Sequence, residues 1–299
     1  MSWYDFEGHK IWYQRQGSGD PIVFLPNATL DGRLWEFQAE YFKDSHDVIV
    51  VDLPGFGRSD RITPSLELWV RWLGQFVDEL GLAPVALVGN CMGSLTALHY
   101  AAANPDKVRA LILLNTLDKD VGSAGPMGGG EGLLKFRWLR PVLETLVRHQ
   151  PRWTWERHPG PFNHMATIYP FAQFGTITGP HQAVYTQHAL GRFAEVDSRL
   201  NLVRLAYTGD TCTLPPADLL AHLPPLCWIW GDANRLLPYE VGKHQLDVLQ
   251  PEEVHVIPGR GYAVAWDAPK EINPIIEGFL ARHSADWHGT AEAPVGTRH

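Results

Sequence analysis

Val85-Ala86-Leu87-Val88-Gly89-Asn90-Cys91-Met92-Gly93 is the stretch that decides how this chain folds. A short apolar run ends at Gly89, and helix-forming residues follow at once in Ser94-Leu95-Thr96-Ala97-Leu98-His99. The pattern passes from strand to helix with almost nothing between, so the chain must turn sharply there. The two glycines of G-x-C-x-G allow a backbone so tight that a side chain on either would clash. Cys91 is left at the apex, beside a helix N-terminus, in the geometry that presents a nucleophile, with Cys where Ser is usual. The plainer alternative is a buried free thiol on a glycine-flanked turn, since Cys is among the most buried residue types. The five-residue pattern alone does not choose between them.

Working outward, Ile22–Leu25, Asp47–Asp52, Val108–Leu114, Leu226–Trp230 and Glu253–Ile257 read as further short strands. Trp3–Arg15 alternates around Gly8-His9 as a hairpin. Helical spacing is predicted around Leu34–Phe42, over Leu66–Leu80 and in a final helix over Glu271–Ala281. Strands this apolar, alternating with helices, predict an α/β fold: a mostly parallel central sheet covered by helices on both faces. From Lys119 to Cys212 that rhythm stops, giving way to a Gly/Pro-rich stretch, helical pieces over 133–149 and 180–194, and an aromatic run over 153–174. The expected organisation is a core of residues 1–118 and 213–283, a helical cap inserted over 119–212, and a disordered tail over 284–299.

Composition narrows the function. A net charge of −8 without any Lys/Arg cluster argues against a nucleic-acid partner. Three cysteines in 299 residues point to reduced thiols and a cytoplasmic setting rather than a disulfide framework. No apolar run approaches the ~20 residues of a membrane helix, and the opening residues lack the features of a signal peptide. Twelve Trp is unusual, and Trp is favoured where a pocket needs flat apolar walls.

Four segments carry a resemblance that covers roughly residues 3–282: Asp52-Leu53-Pro54-Gly55-Phe56-Gly57-Arg58-Ser59, Gly89–Gly93, Trp230–Pro238 and Pro258–Pro269. In this order and spacing the chain resembles the α/β-hydrolase fold superfamily. The resemblance implies a nucleophile, an acid and a His in that chain order. Counted by the family's pattern, those places hold Cys91, Asn234 and Tyr262. The family's His-Gly after the third strand reads Pro26-Asn27. The oxyanion donors implied are the Met92 N–H and the segment Asn27-Ala28, and the site implied is cofactor-independent and without a metal.

The replacements bear on chemistry. Hydrolysis needs a base for the nucleophile and again for water. A Cys near a helix N-terminus has some thiolate of its own, but Asn234 cannot carry a charge and Tyr, with an ordinary pKa of ~10, is a poor base at pH 7. The expected function is therefore a non-hydrolytic step on a small hydrophobic or aromatic, natural-product-like substrate: carbon–carbon bond formation, cyclisation or another enolate- or phenolate-type reaction. Trp35, Trp138, Trp153, Trp155, Phe171 and Phe174 are the candidate pocket wall, and packing of a cap on its core accounts for such aromatics equally well. A Cys-dependent hydrolase, thioesterase or acyltransferase built on Cys91 is the alternative, and a non-catalytic binding protein a third. Asp118 and Asp232 are substitute acids, and the His residues of the insertion are candidate bases. The protein is expected to be a monomer or a homodimer.

Overall fold

A computed structural model of the chain describes residues 2–28, 30–124, 137–149, 180–206 and 212–283. Eight strands form one sheet in the order β1-β2-β4-β3-β5-β6-β7-β8. They are β1 Ser2–Phe6, β2 His9–Gly17, β3 Pro21–Leu25, β4 Asp47–Val51, β5 Val85–Asn90, β6 Val108–Leu114, β7 Leu226–Gly231 and β8 Glu253–Ile257. β1 and β2 form the predicted hairpin, β2 pairs antiparallel with β4, and every later pairing is parallel. All residues of β4, β5, β6 and β7 are buried, as a parallel sheet covered on both faces requires.

The helices are α1 Glu36–Phe42, α2 Leu66–Glu79, α3 Met92–Ala103, α4 Lys119–Ala124, α5 Arg140–His149, α6 Pro180–Ala194, α7 Val196–Ala206, α8 Ala217–Leu220, α9 Tyr239–Gly242, α10 His244–Leu249, α11 Val264–Asp267 and α12 Pro269–Arg282. The α2 helix begins where the Ser65 side chain accepts the Leu68 N–H, the usual satisfaction of an orphan donor at a first turn. It buries Trp69, Trp72, Leu73, Phe76 and Val77. Those side chains join Val23, Leu87 and Leu113 in one apolar core, and α1 and α12 close a second over Phe24, Val88 and Ile112 on the other face. Alternation along each strand assigns neighbours to opposite cores.

Helices α4 to α7 lie in the stretch between β6 and β7, where the sequence predicts the insertion. The α4, α7, α8, α9, α10 and α11 helices are additions to the sequence reading. Trp153, Trp155, Phe171, Phe174 and the tail 284–299 lie outside the described residues. Among the described residues, no helix is long and apolar enough to cross a membrane.

Candidate active site

The turn at Cys91 has the predicted form. Cys91 holds φ 54° and ψ −113°, a region that side-chain-bearing residues rarely adopt and that the surroundings must enforce. Its N–H donates to the Leu114 carbonyl at 3.0 Å, and its carbonyl accepts the Leu95 N–H at 3.0 Å. Ser94 fastens the same corner, its hydroxyl donating to the Leu114 carbonyl (3.0 Å) and accepting the Leu114 N–H (3.1 Å). Both glycines are dictated by space. A Cβ on Gly89 would stand 2.5 Å from the Ser94 nitrogen, and one on Gly93 would stand 2.3 Å from the Leu25 carbonyl oxygen. The first turn of α3 is therefore pressed against the end of β3, where Asn27 and Ala28 follow, both buried.

The Tyr262 side chain hydrogen-bonds the Cys91 sulfur, and the Met92 N–H lies beside it at the start of α3. Burial is the larger influence and pushes the Cys91 thiol up to about 12, although both neighbours pull the other way. This corrects the expectation that a helix N-terminus supplies thiolate: enclosure outweighs it, and the resting group is a neutral thiol. Tyr262 is itself buried, and its carbonyl accepts the Asn115 side-chain N–H at 2.8 Å. Asn115, with φ 45°, also accepts the Gly231 N–H at 3.2 Å and donates its own backbone N–H to Ile229 at 3.0 Å. One polar residue after a fully buried strand thus ties β6 to the end of β7 and to Tyr262. Sequence reasoning misses it, and the available signal is an Asn placed directly after the apolar run Ala110–Leu114.

Asn234 sits in the loop that follows β7. Its Oδ1 accepts the N–H groups of Leu236 (3.0 Å) and Leu237 (2.9 Å), so it builds its own turn. That loop lies against the Tyr262 loop: Ala233 donates to the Arg260 carbonyl at 2.9 Å, and a Cβ on Gly231 would stand 2.5 Å from the carbonyls of Arg260 and Gly261. Asn90, beside the nucleophile position, is also notable. Both its side-chain polar atoms are buried without a partner among the described residues, and a buried polar group left unmatched is costly.

Other candidates resolve differently. Trp35 is fully buried in the core on the opposite side of the sheet, its ring 5.2 Å from that of Phe24. Trp138 is 71% exposed. Trp35 therefore lies across the sheet from Cys91 and does not line a site there. Asp118 commits one oxygen to the N–H groups of Asp120 and Val121 and turns the other toward His244 (3.1 Å) and Gln245. Asp232 holds the Gly259 N–H at 2.6 Å. Both acids are committed to local structure. His99 faces the Thr213 carbonyl at 2.8 Å, and burial lowers its pKa. Asp118, Asp120 and His244, and likewise Cys227, Glu253 and His255, place possible metal-ligand atoms within 4.8 Å of one another. Within these groups Asp118 already faces His244, and Glu253 is ion-paired to Arg282 and His255.

A profile of the alpha/beta hydrolase fold family matches residues 20–269, and the chain belongs to that family. An (E)-2-((N-methylformamido)methylene)succinate hydrolase of Acinetobacter baylyi is 33% identical over 114 residues, which is 38% of this chain and 43% of that protein. The chain thus spans under half of that relative. A 2-hydroxy-6-oxononadienedioate/2-hydroxy-6-oxononatrienedioate hydrolase of Burkholderia vietnamiensis is 25% identical over 289 residues, 91% of each chain. Among solved structures, an esterase from Thermogutta terrifontis superposes with a TM-score of 0.74 at 20% identity, covering 92% of this chain and 94% of that one. These similarities overturn the expectation of non-hydrolytic chemistry in natural-product metabolism. That expectation rests on the missing His and acid, and the sequence relatives are named hydrolases.

Proposed function

We propose that the protein is a hydrolase of activated acyl substrates, such as thioesters or activated esters, with Cys91 as the covalent nucleophile. The observation that carries this reading is a single one. A thiol stands at the apex of a strained turn at a helix N-terminus, with the Tyr262 hydroxyl directed at its sulfur. Tyr262 need not become a tyrosinate, because it can pass a proton without holding a charge. As the Cys91 sulfur bonds to the acyl carbon, its proton moves to Tyr262 Oη, and the tyrosine's own hydrogen goes to the departing oxygen or sulfur. Water then attacks the acyl-enzyme, giving its proton to Tyr262 Oη, and the tyrosine returns a hydrogen to the Cys91 sulfur as that bond breaks. The Met92 N–H and the Asn27-Ala28 backbone stabilise the oxyanion formed in each half. Asn234 shapes the loop behind Tyr262, and Asn90 offers its unmatched amide to the substrate. The core of 1–118 and 213–283 bears this machinery, with the insertion 119–212 as its lid over a small hydrophobic acyl group.

Mass spectrometry after brief exposure to a short acyl thioester tests the proposal, and an acyl adduct on the Cys91 peptide is the expected result. Absence of any adduct, together with no thioester or ester turnover, ends it.

Two further outcomes are expected. Burial holds the Cys91 thiol near 12, so its thiolate fraction grows about tenfold per pH unit throughout the range below that value. Alkylation of Cys91 by iodoacetamide, followed peptide by peptide, should therefore rise steadily from about pH 7 to about pH 10. A plateau near pH 8 would contradict the buried, protonated resting state. Tyr262→Phe removes the relay and keeps the ring, so kcat should fall about 10²-fold with the melting temperature little changed. Unaltered kcat would exclude Tyr262 from proton transfer.

A further inference from the structure

Asp31 lies in the loop that runs from β3 past Asn27 and Ala28 to the short 3₁₀ turn Gly32–Trp35. Its carboxylate is almost wholly buried, at 2% exposure. Oδ1 accepts the Arg33 N–H at 3.0 Å and faces His188 Nε2 at 2.9 Å, while Oδ2 pairs with Arg192 Nε at 3.1 Å. His188 and Arg192 are one helical turn apart on α6, the inserted helix. Arg33 closes the cluster, its guanidinium donating to His188 Nδ1 at 3.4 Å. The same face of α6 carries Tyr185 and Ala189 into the core beside Leu34 and Trp35, with the Tyr185 ring 5.5 Å from that of Trp266.

The next residue is held from the other side. Gly32 gives its N–H to Asp52 Oδ1 at 2.7 Å, and Asp52 belongs to the core. A Cβ on Gly57 would stand 2.4 Å from Asp52 Oδ2 and 2.9 Å from the Asp31 Cβ, so the two carboxylate-bearing residues pack around one glycine. Asp52 has Arg58 as its cation. Asp31 has His188 and Arg192. Burial pushes the Asp31 carboxyl up, but those two partners more than offset it and keep it below the usual carboxylate range. A single short loop is thus pinned to the core through the backbone of Gly32 and to the insertion through the side chain of Asp31.

We propose that Asp31 is a positioning residue: the clasp of His188 and Arg192 on its carboxylate sets the Asn27-Ala28 segment, so the oxyanion donors are in working place only while α6 is seated. The effect on turnover rests on the hydrolase reading above; the clasp itself does not. Lifting α6 leaves the Asp31 charge beside Asp52 without its two partners, so the loop moves with the helix.

The test pairs hydrogen exchange with kinetics on a short acyl thioester, comparing Asp31→Asn, Arg192→Met and Arg192→Lys. Asp31→Asn and Arg192→Met should speed amide exchange in α6 and over residues 26–34 by about tenfold, leaving α2 unchanged. They should also lower kcat by about tenfold, with KM within about threefold. Arg192→Lys should recover part of both. Unchanged exchange in α6 overturns the clasp, and so does an equal rise in α2, which marks general destabilisation. Faster exchange with an unchanged kcat overturns the link to the oxyanion loop. If the parent protein hydrolyses no acyl substrate, the hydrolase reading fails, and the exchange measurements still decide whether Asp31 clasps α6.

Discussion

Cys91→Ala is expected to lower thioester or activated-ester turnover by about 10⁴-fold or more, because removing a covalent nucleophile deletes the path and not merely one stabilising contact. The substitution is informative because it asks little of the fold. Cys91 already carries a Cβ at φ 54°, so alanine adds no backbone strain at that position. Only the sulfur is lost, from a residue already packed in the core with Met92 and Leu95, and cavities of that size cost about 1 kcal/mol. The variant should therefore melt close to the parent. It should also lack the acyl adduct and still bind substrate, since the proposed oxyanion donors remain. Cys91→Ser separates thiol chemistry from position. A serine hydroxyl is far less acidic than a thiol, and neither Tyr262 nor Asn234 is a base able to activate it, so turnover should remain strongly reduced. Hydrolysis by Cys91→Ala at near-parent rates would sink the nucleophile assignment.

Much of the architecture is legible in the amino-acid sequence because its signals are local. Apolar runs such as Val85–Val88 and Val108–Leu114, the latter interrupted only by Arg109, read as strands covered on both faces, and G-x-C-x-G reads as a tight turn, where a Cβ on either glycine would stand within 3 Å of neighbouring backbone. The site is legible only in part. Cys91 and Tyr262 emerge from spacing within matched segments, and they do meet. Whether an aromatic faces the pocket is not readable, because that depends on which side of the sheet it falls. Trp35 goes to the far core, and Trp138 to the surface. The charge state of Cys91 is also hidden, since enclosure by segments distant in the chain outweighs its own helix terminus. The Asp31–His188 pair, 157 residues apart, is visible only after folding. The relatives are named hydrolases, whereas residue-by-residue chemistry points away from hydrolysis.

Asp52→Ala is the substitution expected to cost most in stability. The Asp52 side chain is fully buried and accepts four hydrogen bonds: from the Gly32 N–H (2.7 Å), the Arg58 N–H (2.7 Å), Arg58 Nε (2.8 Å) and the Arg58 terminal nitrogen (2.9 Å). Burial raises its carboxyl above the usual range, Arg58 opposes that, and the Asp31 charge adds to the rise. The four donors oppose that rise and hold the buried side chain in place. Alanine strands two backbone N–H groups and frees Arg58, whose guanidinium lies 3.1 Å over the Trp12 ring and is one-third exposed. Breaking a buried pair from one side costs about 3–5 kcal/mol, and the partial exposure of Arg58 places the expected loss near the lower figure. Asp52→Asn keeps an oxygen for Gly32 and should lose roughly half as much. Because Gly32 adjoins Asp31, the loss should also loosen the loop that carries Asn27 and Ala28, lowering kcat in the fraction that stays folded. Urea titration of the three proteins decides the point: midpoints that differ by less than about 1 kcal/mol in free energy would show that Arg58 and the Gly32 N–H find water as readily as they find Asp52, and the coupling of the two loops through this carboxylate would fall with it.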